Sequence, residues 1–165
     1  MMDLGATICT PRSPACSQCP LRSHCRAHAE GLAAHLPARA PKPERPQRWG
    51  AAFVALRADG HVLLRRRPEN GLLGGMMEPP GSAWQAQALT REQALRCAPV
   101  AARWRRMPAP VTHTFTHFHL RLDVFAGKVG TDVPAPAPCR WVATDALGQA
   151  ALPSVMRKVL AAALD

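Results

Sequence analysis

The clearest hydrophobic pattern runs through Leu120, Leu122, Val124 and Ala126, which alternate with His119, Arg121 and Asp123. A period of two is that of a strand with one face in a core. Over Val111 to Lys128 the pattern predicts two strands around a turn. Gly50 to Leu56 is a continuous apolar run, Ala58-Asp59-Gly60 a turn, and His61 to Arg66 a second strand, so this stretch predicts a hairpin. Ala101 to Met107 and Cys139 to Ala143 read as two further strands. Helical spacing governs the end of the chain, where Val155, Met156, Val159, Leu160 and Ala163 form an apolar stripe behind Ser154 as cap. Thr90 to Ala98 predicts a short helix, with Thr90 as N-cap and Gln93 completing a capping box.

The first residues have a different texture. Met1, Leu4 and Ile8 share one helical face, and Leu21 to Ala34 is a second helical candidate. Two turns with nothing upstream to pack against read as the end of a larger helical domain, or as a start codon placed late. Leu36 to Arg48, LPARAPKPERPQR, holds four prolines and four basic residues. Proline at that density prevents regular ladders and favours an extended spacer. The expected organisation is a cysteine-bearing helical segment over 1–34, a linker over 35–48 and a folded domain over 49–165. Its fold class is α+β, a mixed sheet with flanking helices.

Composition narrows the partners. With 165 residues, 47% of them hydrophobic, the chain can bury a real core. No apolar run approaches a membrane span and no export pattern opens the chain, so a cytoplasmic monomer is expected, with no membrane partner. Twenty-one Lys and Arg against 11 Asp and Glu give a net charge of +10. Such a surplus points to an anionic partner, nucleic acid before membrane.

The chemistry is densest between Cys9 and Cys25, where C-TPRSPA-C-SQ-C-PLRSH-C places four cysteines within 17 residues. Pro11, Pro14 and Pro20 stiffen the loops and lower the entropy lost in closing them. Three readings stand side by side: a disulfide pair, a zinc site and an iron–sulfur centre. Disulfides suit a reducing compartment poorly, and a four-cysteine zinc site usually pairs two C-x2-C knuckles where this chain has one. Cys97 and Cys139 are isolated and are expected to be ordinary buried thiols. Arg12, Arg22 and Arg26, with His24 and His28, form a basic group around the box. They serve equally as solvated charges or as phosphate contacts.

The spacing C-x6-C-x2-C-x5-C, with M-D-L-G-A-x-I-C ahead of it and C-P-L-x-x-x-C inside it, resembles the box of [4Fe-4S] DNA glycosylases of the helix-hairpin-helix class. That resemblance implies a [4Fe-4S] cluster on Cys9, Cys16, Cys19 and Cys25, and DNA phosphates as the partners of Arg12, Arg22 and Arg26. Further on, G-L-L-G-G-M-M-E-P-P-G after R-R-R-P resembles the entrance to a Nudix-type fold. The helix that should follow, R-E-x-x-E-E-x-G, keeps Arg91-Glu92 but has Leu95 and Arg96 in place of its paired acids. One carboxylate cannot assemble the magnesium site of such hydrolases.

Cluster box, proline-rich linker and a Nudix-like domain without its acids resemble, in that order, the C-terminal half of MutY-type adenine DNA glycosylases. His113-Thr114-Phe115-Thr116-His117-Phe118-His119-Leu120 is similar to the family's H-T-F-S-H-x-H-L, with Thr116 in place of the usual serine. Leu73 and Met77 stand where many members have an aromatic residue. The resemblance implies base-excision repair of adenine mispaired with 8-oxoguanine. It assigns reading of the oxidised base to Phe115, Thr116 and His117, on double-stranded DNA containing 8-oxoguanine opposite adenine. The family's catalytic glutamate and aspartate lie upstream of the cluster box, so no catalytic residue is assigned here; Asp3 belongs to the M-D-L-G segment. Two other functions fit parts of the pattern: a non-catalytic iron–sulfur DNA-binding module, and a divergent Nudix hydrolase.

Overall fold

The computed structural model describes residues 2–38 and 44–164. The chain divides into two compact units, Met1–Glu44 and Arg45–Asp165.

The first unit is built of short turns. Helix α1 (Met2–Thr7) is followed by 3-10 turns at Cys16–Gln18 and Arg22–His24, a single turn α2 (Arg26–Ala29), and a 3-10 turn at Ala33–His35. The continuous helix expected over Leu21 to Ala34 is therefore broken. Cys25 is extended between two turns (φ −89°, ψ 107°), and Gly31 has φ 69°, a left-handed value that glycine adopts at little steric cost. Leu4 and Ile8 are half-buried as their spacing predicts, while Met1 lies outside the described residues. So do residues 39–43, on which much of the linker expectation falls.

The second unit is a mixed sheet: β1 (Gln47–Arg57), β2 (His61–Arg66), β3 (Met77–Glu78), β4 (Arg105–Arg106), β5 (Val111–Thr114), β6 (His119–Val129) and β7 (Cys139–Ala143). Its main path runs β3-β2-β1-β6-β4, with β5 also paired to β6 and β7 to β2. Strands β1 and β6 are parallel from Gln47–His119 to Arg57–Val129, and the other pairs are antiparallel. Central position explains the unbroken apolar run of β1, since Gly50 to Ala55 are buried on both faces. Strand β6 alternates only up to Val124; beyond it Phe125 and Gly127 are buried as well, because Trp104 covers that side. A Cβ on Gly127 would stand 2.8 Å from the Trp104 ring.

Each face of the sheet has its own core. On one, Val54, Leu64, Leu122 and Val124 pack against α4 (Ser154–Leu164) through Val155, Met156, Val159 and Leu160. On the other, Phe53, Leu63 and Phe125 meet Trp104 and Ala94 of α3 (Arg91–Leu95). Burying each large side chain stabilises by about 1.5–3 kcal/mol, so α4 is a principal clamp on the fold. Thr90 and Gln93 form the expected capping box on α3. At α4 the cap differs from expectation: Pro153 supplies the carbonyl for Met156 and Arg157, and Ser154 is already the first helical residue.

Two further expectations change. The strand over Ala101 to Met107 contracts to Arg105–Arg106; Pro108 and Pro110 follow and lack donors for a ladder. Cys97 is exposed rather than buried, and Cys139 is half-buried. Burial pushes the Cys139 thiol above its ordinary value, with Arg65 opposing. Among the described residues, no helix is long and apolar enough to cross a membrane.

Candidate functional site

In the first unit, backbone hydrogen bonds set where each cysteine stands. The Leu4 carbonyl accepts from Ile8 and Cys9 at 3.0 and 2.6 Å, and the Ile8 carbonyl accepts from Ala15, closing the first loop. Cys19 then donates to Cys16 and Cys25 to Arg22, each ending a 3-10 turn at 3.2 Å. The four thiols are free and line a single cavity of about 390 Å³ with Ile8, Ala27 and Ala33. Yet among the described residues no three Cys, His, Asp or Glu side chains close around one ion position. Four thiols around a shared space suit a soft metal centre bound through sulfur.

The arginines near the box differ. Arg12 is exposed. Arg22 lines the cavity and donates to His28 Nε2 at 2.9 Å, which makes that nitrogen an acceptor. Arg26 is exposed and pairs at 2.6 Å with Glu30, an acid that no sequence motif marks.

The hairpin of β5 and β6 carries the second group. Phe115 N donates to Phe118 O at 2.9 Å and closes the tip, while Thr114 and His119 pair across the strands at 2.9 Å. Thr116 and His117 project into solvent. Beneath them the Phe115 ring is half-buried, 4.6 Å from His113, 4.8 Å from Phe118 and 5.8 Å from Trp84. Phe115 therefore floors the tip instead of standing free. Burial, and secondly the charge of Lys158, push His113 below its ordinary pKa.

Residues the sequence did not single out hold this platform. Arg45 donates to the Thr116 carbonyl at 3.0 Å, and His119 N donates to the Pro46 carbonyl. Arg48 lies over the Phe118 ring and Arg67 over Trp84, 5.2 and 4.9 Å from the ring centres. Arg67 also pairs with Glu78, which is 4% exposed and accepts from Arg65 at 2.8 Å. Trp84 comes from an irregular loop with no periodicity to mark it; Phe118, three residues beyond Phe115, was the one available signal.

Helix α3 carries the Arg91-Glu92 pair of the Nudix-like pattern. Its remaining acid, Glu92, is paired at 2.8 Å with Arg96, one of the two residues that replace the missing acids.

A family model described as NUDIX domain matches residues 51–162. The chain belongs to the NUDIX domain family. Residues 9–25 of this NUDIX chain match a second model, the iron–sulfur binding domain of endonuclease III, so the four-cysteine box is an iron–sulfur site. Over 96% of its length the chain is similar to the human adenine DNA glycosylase, at 30% identity, and to the mouse one at 28%. It spans about two fifths of the length of those relatives, 39% and 40%. Among solved structures it resembles the C-terminal domain of mouse MUTYH, solved in complex with human PCNA (26% identity, TM-score 0.57, 70% of this chain and 86% of that one). A MutT protein from Methanosarcina mazei shares the fold at 22% identity, with a TM-score of 0.55, over 73% of this chain and 94% of that one.

Proposed function

We propose that this chain is the DNA-binding, lesion-reading portion of an adenine DNA glycosylase acting in base-excision repair on adenine paired with 8-oxoguanine. The observation that carries the reading is the hairpin tip: an exposed hydroxyl and imidazole at Thr116 and His117, above a braced floor of Phe115, Phe118 and Trp84. Oxidised guanine differs from guanine by a carbonyl at C8 and a proton on N7. A threonine hydroxyl can donate to the first and accept from the second. Its added methyl, relative to serine, narrows the rotamers and presets the hydroxyl. Phosphate contacts cannot make the distinction, because the backbone is the same in both duplexes.

The cysteines suit a [4Fe-4S] cluster, each thiolate of Cys9, Cys16, Cys19 and Cys25 binding one iron. When bound, such a cluster ties three short turns into one rigid surface that carries Arg12, Arg22 and Arg26. Of these, Arg12 and Arg22 are in none of the described ion pairs while Arg26 pairs with Glu30, so the first two contribute most to phosphate binding. Diphosphate hydrolysis is disfavoured, since Glu92 is held by Arg96 and no second acid stands beside it on α3. The test is titration of the purified chain with matched duplexes that differ in one 8-oxoguanine. The lesion duplex binds more tightly; equal binding contradicts the reading.

A further inference from the structure

Along β1 and β6, the end opposite the hairpin carries a groove of its own. The register places Gln47 beside His119 at the tip end and Leu56 beside Lys128 nine residues on. At about 3.3 Å per residue the two ends are roughly 30 Å apart. There a groove of about 690 Å³ opens between the sheet edge and the end of α4. Its apolar surface includes Val54, Leu56, Ala126 and Leu164, and its cations are Arg91, Arg103, Arg105, Arg106 and Lys128, with no acid among the lining residues.

The packing aims these charges outward. Trp104 is buried, 5.0 Å from Phe53 and against Gly127. Its neighbours Arg103 and Arg105 are exposed, and Arg105 is registered with Ala126 on the face that α4 covers. Arg106 points to the other face and pairs with Asp123 at 2.7 Å. Among the described ion pairs none involves Arg91, Arg103, Arg105 or Lys128. Helix α4 leads back toward the hairpin and carries Arg157 and Lys158 with no acid from Ser154 to Leu164. The charge of Lys158 is felt at His113. Asp165 follows in sequence and lies outside the described residues.

We propose that this groove is a second phosphate site, through which the NUDIX unit holds the backbone of a DNA duplex whatever base meets the hairpin tip. The cations are exposed and spread from Lys158 to Lys128, as a row of phosphates requires; a free nucleotide is better held by charges that converge on one point. The inference rests on the chain binding DNA, and not on its reading 8-oxoguanine.

The experiment titrates the full chain with an undamaged duplex over a salt series, with the triple variant Arg103→Gln/Arg105→Gln/Lys128→Gln beside the wild type. Removing one phosphate-binding charge lowers the slope of log K against log salt by about one, so the triple variant falls by up to about three. Arg103→Gln alone, outside any strand, lowers it by about one with the sheet untouched. Arg103→Lys/Arg105→Lys keeps the wild-type slope, and so does Arg96→Gln, whose partner is Glu92. An unchanged slope in the triple variant overturns the proposal. So does a nucleoside triphosphate that binds the wild type and not the triple variant while duplex slopes stay equal; the groove would then serve a free nucleotide. If wild type binds lesion and normal duplexes equally and the triple variant still has the lower slope, the tip's reading fails and the groove stands.

Discussion

At the scale of single residues, the informative groups are those whose surroundings set their charge. His113 lies under the tip with its pKa pulled below the ordinary value near 6.5, by burial first and by Lys158 second. Its imidazole should titrate below the ordinary histidine range in an NMR pH series, and Lys158→Gln should raise it. The unfolded chain takes up this proton more readily than the folded one. His113 therefore adds stability that is full above about pH 6.5 and is lost as pH falls from there through its lower folded value. Glu78 shows the same logic in a buried pair. Glu78→Gln leaves Arg65 and Arg67 without their anion, and because both are partly exposed the cost should fall at the lower end of about 3–5 kcal/mol. Chemical denaturation measures it. Loss of the Arg67 position over Trp84 should also disturb the aromatic floor. Neither residue was legible in the sequence as part of a site, since Arg67 closes a run of three arginines and Glu78 sits in a Gly-Pro loop.

Among the elements, those set by local pattern were legible and those set by neighbours were not. Strand β2, the alternating half of β6, the α3 capping box and the α4 stripe all follow from side-chain periodicity. The two-residue strand β3 does not, for it exists by pairing Met77 and Glu78 with β2. The broken helix after Leu21 likewise answers to the cysteines, whose thiols must reach one cavity. The four cysteines stood out because so many thiols in 17 residues call for one shared centre, whereas the tip residues stood out only through the family resemblance. Of the tip's supports, Arg45 and Trp84 come from distant segments, and Phe118 from the hairpin itself. At α3 the outcome is chemical: with Glu92 bound to Arg96, nucleoside triphosphates with magnesium should be left intact, as phosphate release would show.

For the whole molecule, the central expectation is two units with separate duties, the first holding a cluster and the second reading DNA. Cys19→Ser should abolish the brown colour of anaerobically purified protein, with its broad absorption near ~400 nm and equal iron and sulfide. The sheet unit, which closes its own two cores, should keep its thermal transition. One stoichiometric zinc in a colourless wild type would contradict the cluster. The most direct measurement is the ratio of affinities for matched 8-oxoguanine and guanine duplexes, compared between wild type and Thr116→Ala. Removing one hydrogen bond of about 0.5–1.5 kcal/mol lowers that ratio by up to roughly tenfold with the salt slope unchanged. A ratio that Thr116→Ala leaves where it was would remove the hairpin tip from lesion recognition.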